Sequence, residues 1–268
     1  TTGDPNYPGG IFSKTRTAYG VIVHEFLHVL GLPDLYRNSQ IGNPVGQWSI
    51  MASNGSQALN PITAFYQNEY LNWGSKLQVI GPGTHKVTLS KPKYDNPNEK
   101  KAVIIKSPLN KNESFVVEFR KKEGFNKYVN MDHGGIIVYR INNKFNPSNG
   151  NKIEDFMYVF RPGDGNGDLN KATLSLESGR TSLGKDTPSS NTFDNDTIHY
   201  SDGTNSRIVI SNVSSGNNDT ITFDVKVPST KGSGTASDPY LISEASDLDL
   251  VKGQSNAHFK MTNDIDMS

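Results

Sequence analysis

Residues 24 to 34 constrain this chain more than any other stretch: His24-Glu25-Phe26-Leu27-His28-Val29-Leu30-Gly31-Leu32-Pro33-Asp34. The histidines are four apart, so on a helix their imidazoles share one face, a turn above one another. Glu25 flanks the first of them. This is the H-E-x-x-H pattern, in which two histidines hold Zn²⁺ and the glutamate serves as general base. Gly31 suits the left-handed conformation that closes a helix, and Pro33 cannot continue one. The chain is therefore expected to turn back and present Asp34. Three ligands, His24, His28 and Asp34, with a fourth position left open, match the pattern of a catalytic zinc site.

Two plainer readings compete. The histidines of a buried helix can be satisfied by backbone carbonyls, and Asp34 is placed to cap a turn after Pro33. Chance alone is a poor account. With average residue usage, a bare H-E-x-x-H arises in roughly one chain in a hundred of this length. Adding Gly31 and Asp34 at fixed offsets lowers that to well under one in ten thousand, on the same usage.

The stretch from His24 to Asp34, continued as Leu35-Tyr36, resembles the zinc motif of immune inhibitor A-type metallopeptidases, secreted bacterial enzymes related to the metzincins. Gly46-Gln47-Trp48-Ser49-Ile50-Met51-Ala52-Ser53 resembles the segment of such enzymes that carries a methionine turn. The resemblance implies zinc held by His24, His28 and Asp34, Glu25 as the catalytic base, and Met51 as an apolar floor below the metal. Taken alone, Met51 reads more readily as ordinary core; its place just downstream of the zinc motif reverses that reading. The resemblance also implies a sheet upstream of the zinc helix. The roughly twenty residues before His24 are too few for one, so the chain is expected to lack the upper half of the cleft. Tyr36 and Tyr66 are candidates for stabilising an oxyanion, and spacing does not decide between them.

Composition narrows the function classes. Lys plus Arg and Asp plus Glu are 27 each, so net charge is zero and gives no footing for nucleic-acid binding by counterion release. The chain has no cysteine, which excludes disulfides and thiolate metal sites. No apolar run is long enough to span a membrane. The opening Thr-Thr-Gly-Asp-Pro-Asn does not read as a translation start, so a fragment or a processed product is expected.

Along the chain, Thr15 or Thr17 is expected to cap a helix running to Leu30, whose apolar content on several sides suggests burial. Asn60-Pro61 reads as the start of a second helix ending at Trp73-Gly74. From about Val79 the hydrophobic period becomes two. Strands are expected at 86–89, 102–106, 114–120, 134–141, 156–160, 206–210 and 220–225, with turn signals between them, as in an antiparallel sandwich. Asp164-Gly-Asn166-Gly-Asp168 begins like a calcium loop, but Leu169 and Ser175 occupy positions that want glycine and glutamate, so a polar turn is expected. His85, His133, His199 and His258 have no partner at ligand spacing and read as ordinary. Residues 229–237 are Gly- and Ser-rich and read as a linker. The tail beyond it resembles the opening coil of a right-handed β-helix surface protein.

The expected fold class is α+β: the C-terminal half of a metzincin-like catalytic domain, two helices and loops at 1–76, then an antiparallel β-sandwich-like domain at 77–228. Residues 229–268 form the linker and the start of a repeat domain. The expected function is a secreted or cell-surface zinc endopeptidase acting on proteins or peptides as a monomer. The alternative is a surface-binding, adhesin-like module with an inactive or incomplete protease part.

Overall fold

The computed structural model describes residues 16–37, 42–53, 60–93, 96, 99–106, 109–145, 155–186, 196–228, 234–243, 247–248, 251 and 256–266. Thr15 and most of the 229–237 linker lie outside these residues.

Helix α1 spans Arg16–Val29, so Thr17 lies within it and does not cap it. The expected burial is corrected. Gly20, His24 and Leu27 form a narrow buried stripe, while Tyr19, Ile22, Phe26 and Val29 stay exposed. High apolar content reports what a helix is able to bury, not what it packs against. The helix ends in a Schellman closure. Leu32 N–H donates to the Leu27 carbonyl at 3.1 Å and Gly31 N–H to the His28 carbonyl at 2.9 Å, with Gly31 at φ +90°. Buried Leu27 and Leu32 supply the apolar contact that accompanies such a closure.

The second helix is much shorter than expected. Residues 61–63 are not helical; two helical residues, Ala64 and Phe65, lead into a π-helical turn at Tyr66–Tyr70. Asn60 does not cap it, since its side-chain amide donates to the Ser53 carbonyl at 2.7 Å. The opening N–H groups are satisfied from a distance instead. Ala64 N–H donates to Glu118 Oε2 at 3.0 Å and Phe65 N–H to the Tyr139 hydroxyl at 3.2 Å. Distant partners override a local start signal because any acceptor serves an orphan N–H.

The β-rich part holds two sheets. One has the order β1-β3-β4-β5-β6, with β1 at Gln78–Ile80, β3 at Ala102–Lys106, β4 at Glu113–Arg120, β5 at Gly135–Asn142 and β6 at Met157–Val159. Its neighbours are antiparallel except β1 and β3, which run parallel. The other sheet, order β2-β8-β7, is antiparallel and joins Gly83–Ser90 (β2), Thr220–Val227 (β8) and Val209–Ser211 (β7). The seven expected strands are thus present, β3 with the expected bounds and the other six with shifted ends, and β1 is added. A parallel pair, β9 (Tyr240–Ile242) with β10 (Phe259–Met261), follows.

Both faces of the larger sheet are covered, and every residue of β4 and β5 is buried. One face, with Val103, Phe115, Val117 and Val138, packs on Leu89, Phe223 and Val225 of the smaller sheet. The opposite face, with Ile104, Val116, Ile137 and Tyr139, packs on Leu27, Leu35, Trp48 and Met51. The floor of the α1 region is therefore a sheet face.

Several polar residues buried inside this assembly are paired. Glu118 and Arg120, two apart on β4, meet at 2.9 Å with about 3% exposure or less each. His199, ordinary in the sequence, is buried between Arg140 and Asp164, 3.2 Å from the Asp164 carboxylate. Burial pushes the Asp164 carboxyl up, but hydrogen bonds from His199 and Tyr158 outweigh it and hold it near a pKa of about 2, below its ordinary 3.8. Asp168 accepts from Asn170 N–H at 2.9 Å, so this stretch is a capped polar turn.

Candidate metal centre

The Schellman closure of α1 builds the site. It swings the chain back so that the Leu32 carbonyl meets His28 Nδ1 at 2.7 Å. Two residues on, Asp34 Oδ1 lies 3.3 Å from His28 Nε2 and 3.0 Å from His24 Nε2. On the other side, the Ile50 carbonyl lies 2.8 Å from His24 Nδ1. A carbonyl only accepts, so both Nδ1 atoms carry the proton. In the neutral rings both Nε2 atoms then present lone pairs, and these face the same carboxylate oxygen.

Three acceptors converging without a proton between them is costly unless a cation sits among them. Among the described residues these are the one group of three or more His, Cys, Asp and Glu side chains whose donor atoms lie close enough to hold an ion, all within 4.8 Å of one another. Asp34 Oδ1 is buried and takes no hydrogen bond from the described residues. The donor set, two imidazole nitrogens and one carboxylate oxygen, suits Zn²⁺. The residues present fit that ion. The two competing readings of the histidines are compatible: each ring gives one nitrogen to a carbonyl and turns the other toward Asp34, where it could meet an ion.

Supporting contacts come from the 46–53 segment. Met51 is fully buried, and its carbonyl accepts from Leu35 N–H at 2.7 Å, one residue past Asp34. Ile50 and Met51 thus brace His24 and the Asp34 loop from adjacent carbonyls. Further along that loop, Arg37 Nε donates to Asp155 Oδ1 at 2.7 Å, tying it to the residues before β6.

Glu25 is exposed on the helix flank beside His24. Tyr36 is 40% exposed, and its ring stacks near His24 with centroids 6.5 Å apart. A hydrogen bond to Asp34 raises its phenol above the ordinary value, helped by burial and by the Asp34 and Glu25 charges. Glu25 and Tyr36 therefore share one neighbourhood. Tyr66 is different. It is fully buried against Tyr70 and Phe156, and burial pushes its phenol well up. Of the two tyrosines, only Tyr36 stands at the opening. The orienting carbonyls of Leu32 and Ile50 had no signal in the sequence, because every residue carries a carbonyl.

Residues 11–72 match the family described as immune inhibitor A peptidase M6, catalytic domain. The match covers α1, the three converging side chains and the 46–53 segment, and stops short of β1. It supports a metallopeptidase assignment for that segment, a minority of the 268 residues. No curated protein and no solved structure gives a significant match. No helix among the described residues is long and apolar enough to cross a membrane.

Proposed function

We propose that this chain carries the metal-binding and catalytic residues of a secreted or cell-surface zinc endopeptidase that hydrolyses protein or peptide substrates. The observation that carries the reading is the convergence of His24 Nε2, His28 Nε2 and Asp34 Oδ1, with both Nδ1 protons held elsewhere.

When bound, zinc supplies Lewis-acid activation of a water and of the scissile carbonyl. His24 and His28 would hold it through Nε2 and Asp34 through Oδ1. The carbonyls of Ile50 and Leu32 keep the Nδ1 protons in place and the Nε2 lone pairs turned inward. Glu25 takes the proton of the attacking water on its carboxylate and returns it to the leaving amine. Tyr36, whose phenol pKa is raised by its interaction with Asp34, stands next to the Asp34 carboxylate and helps to steady it.

Glu25→Gln tests this directly. The variant should bind zinc stoichiometrically and lose peptide hydrolysis by about a hundredfold or more, the usual scale for a general base. Cleavage persisting at the original rate would remove Glu25 from the mechanism. A protein that binds no zinc, with or without His24 and His28, would favour the surface-binding module.

A further inference from the structure

A cavity of about 450 Å³ lies between Val23 of α1, Ile50, residues 60–62 and the part of the larger sheet where Lys101 leads into β3 and Glu118 and Arg120 end β4. Val23 and Ile50 form one wall. Val23 precedes His24, and Ile50 is the residue whose carbonyl holds the His24 ring, so the cavity adjoins the metal ligands through two bonded neighbours. Ile62, Trp73 and Pro92 add apolar surface.

The charged lining is one-sided. It contains Lys93, Lys101, Arg120 and a single acid, Glu118. Glu118 is already committed to Arg120 at 2.9 Å and to the Ala64 N–H and the Tyr139 hydroxyl. Lys93, at the mouth, reaches Glu99 only at 3.8 Å. Lys101 lies deeper. Its ammonium bonds to Gln67 Oε1, an acceptor fixed by the Gln67 amide's own bond to the Ile62 carbonyl at 2.8 Å. Among the described residues no carboxylate lies within ion-pair distance of Lys101, and an ammonium has three N–H groups to place. Burial lowers the Lys101 pKa, and the nearby Arg120 charge adds to that, against the pull of Glu118. A partly buried cation with no carboxylate in direct contact among the described residues, set in apolar walls, is stabilised by a carboxylate arriving with a ligand.

We propose that this cavity is a subsite that receives an acidic side chain of the peptide substrate, with the Lys101 ammonium as its counter-charge. The inference deepens the proteolytic reading and rests on it for the identity of the ligand as a peptide. The apolar walls accept the methylenes of a glutamate, and Lys101 the carboxylate. The pocket thereby favours substrates with an acidic residue near the cleaved bond.

Trp73 makes the test local. The chain has two tryptophans; Trp48 is fully buried, whereas Trp73 is 48% exposed and lines the cavity. Three capped tripeptides would be titrated against the full chain carrying Glu25→Gln, so that nothing is cleaved, with zinc content measured on the same samples. Acetyl-Ala-Glu-Ala-amide should change Trp73 fluorescence with an affinity about tenfold to a hundredfold above that of acetyl-Ala-Gln-Ala-amide, the range for a charged hydrogen bond. The third probe, acetyl-Ala-Gln-Ala with a free terminal carboxylate, should resemble the neutral peptide. Binding it as tightly as the Glu peptide would assign the pocket to chain termini and overturn the side-chain subsite. In Lys101→Met the Glu preference should vanish, and in Lys101→Arg it should remain. Equal affinity for the Glu and Gln peptides in the Glu25→Gln chain sinks the proposal without any change at Lys101. Zinc absent with the Glu preference intact would instead remove the peptidase reading and leave the pocket standing.

Discussion

Strands β4 and β5 pair residue by residue along eight positions, whereas the ring orientations of His24 and His28 and the turn that carries Asp34 rest on single bonds, some local and two from residues 50 and 51. The ladder is redundant: losing one bond leaves neighbours in register. Among the described residues, the turn that carries Asp34 has no such reserve. One carbonyl orients each histidine, one carbonyl braces Leu35, and one carboxylate caps the turn at Ala64. Chemistry with an open ligand position needs side chains that converge from several directions, and no regular ladder points them inward. The two regions are nonetheless welded, because the floor of the metal segment is one face of the larger sheet.

Glu118→Ala should break that weld with the largest effect. It leaves Arg120 charged and buried without its partner, and strips the caps from Ala64 and the Tyr139 hydroxyl. A loss of about 3–5 kcal/mol in denaturant unfolding is expected, with zinc affinity falling alongside. If zinc affinity is untouched while stability drops, the metal segment does not depend on the sheet as argued.

Gly31→Ala sharpens the contrast on the metal side. A Cβ at Gly31 would meet nothing within 4 Å, so the penalty is conformational, from φ +90°. About 1–2 kcal/mol of stability should be lost, together with zinc affinity, because the Schellman closure aims both the Leu32 carbonyl and Asp34. Competition against a chromophoric chelator measures the second effect. A stability loss with zinc affinity at the native level would mean the ligands are positioned by something other than this closure.

The smallest effect lies on the sheet side, at Asp164. Its folded pKa of about 2 is below the ordinary 3.8. A carboxyl depressed on folding contributes stability that is present above about pH 4 and is lost as pH falls toward 2. Urea midpoints measured through that window should fall more steeply for the native chain than for Asp164→Asn. Parallel slopes would show that the His199 and Tyr158 bonds do not stabilise the ionised form.

Much of the β region was legible. Seven strands followed from alternation and turn residues, because a pleated strand repeats every two residues whatever it packs against. Burial was less legible. The apolar surplus of α1 suggested an interior helix, yet Ile22 and Phe26 are exposed, since burial depends on neighbours from elsewhere in the chain. Asn60-Pro61 misled for the same reason: Glu118 and Tyr139, more than fifty residues later, supply the cap that a local signal was expected to provide.

The sequence by itself determined the donor chemistry and the bend: two imidazoles a helical turn apart, and a glycine able to take a left-handed conformation three residues before an aspartate. These are local properties, set by helical period and by backbone sterics. Only the tertiary structure decided which ring nitrogens face inward, since that depends on where the carbonyls of Ile50 and Leu32 come to lie. It also decided that Lys101 lines a cavity with Val23 and Ile50 while, among the described residues, no carboxylate lies within ion-pair distance of it. Charge balance in a sequence is a sum, whereas the field inside a cavity depends on which charges the fold brings to its walls.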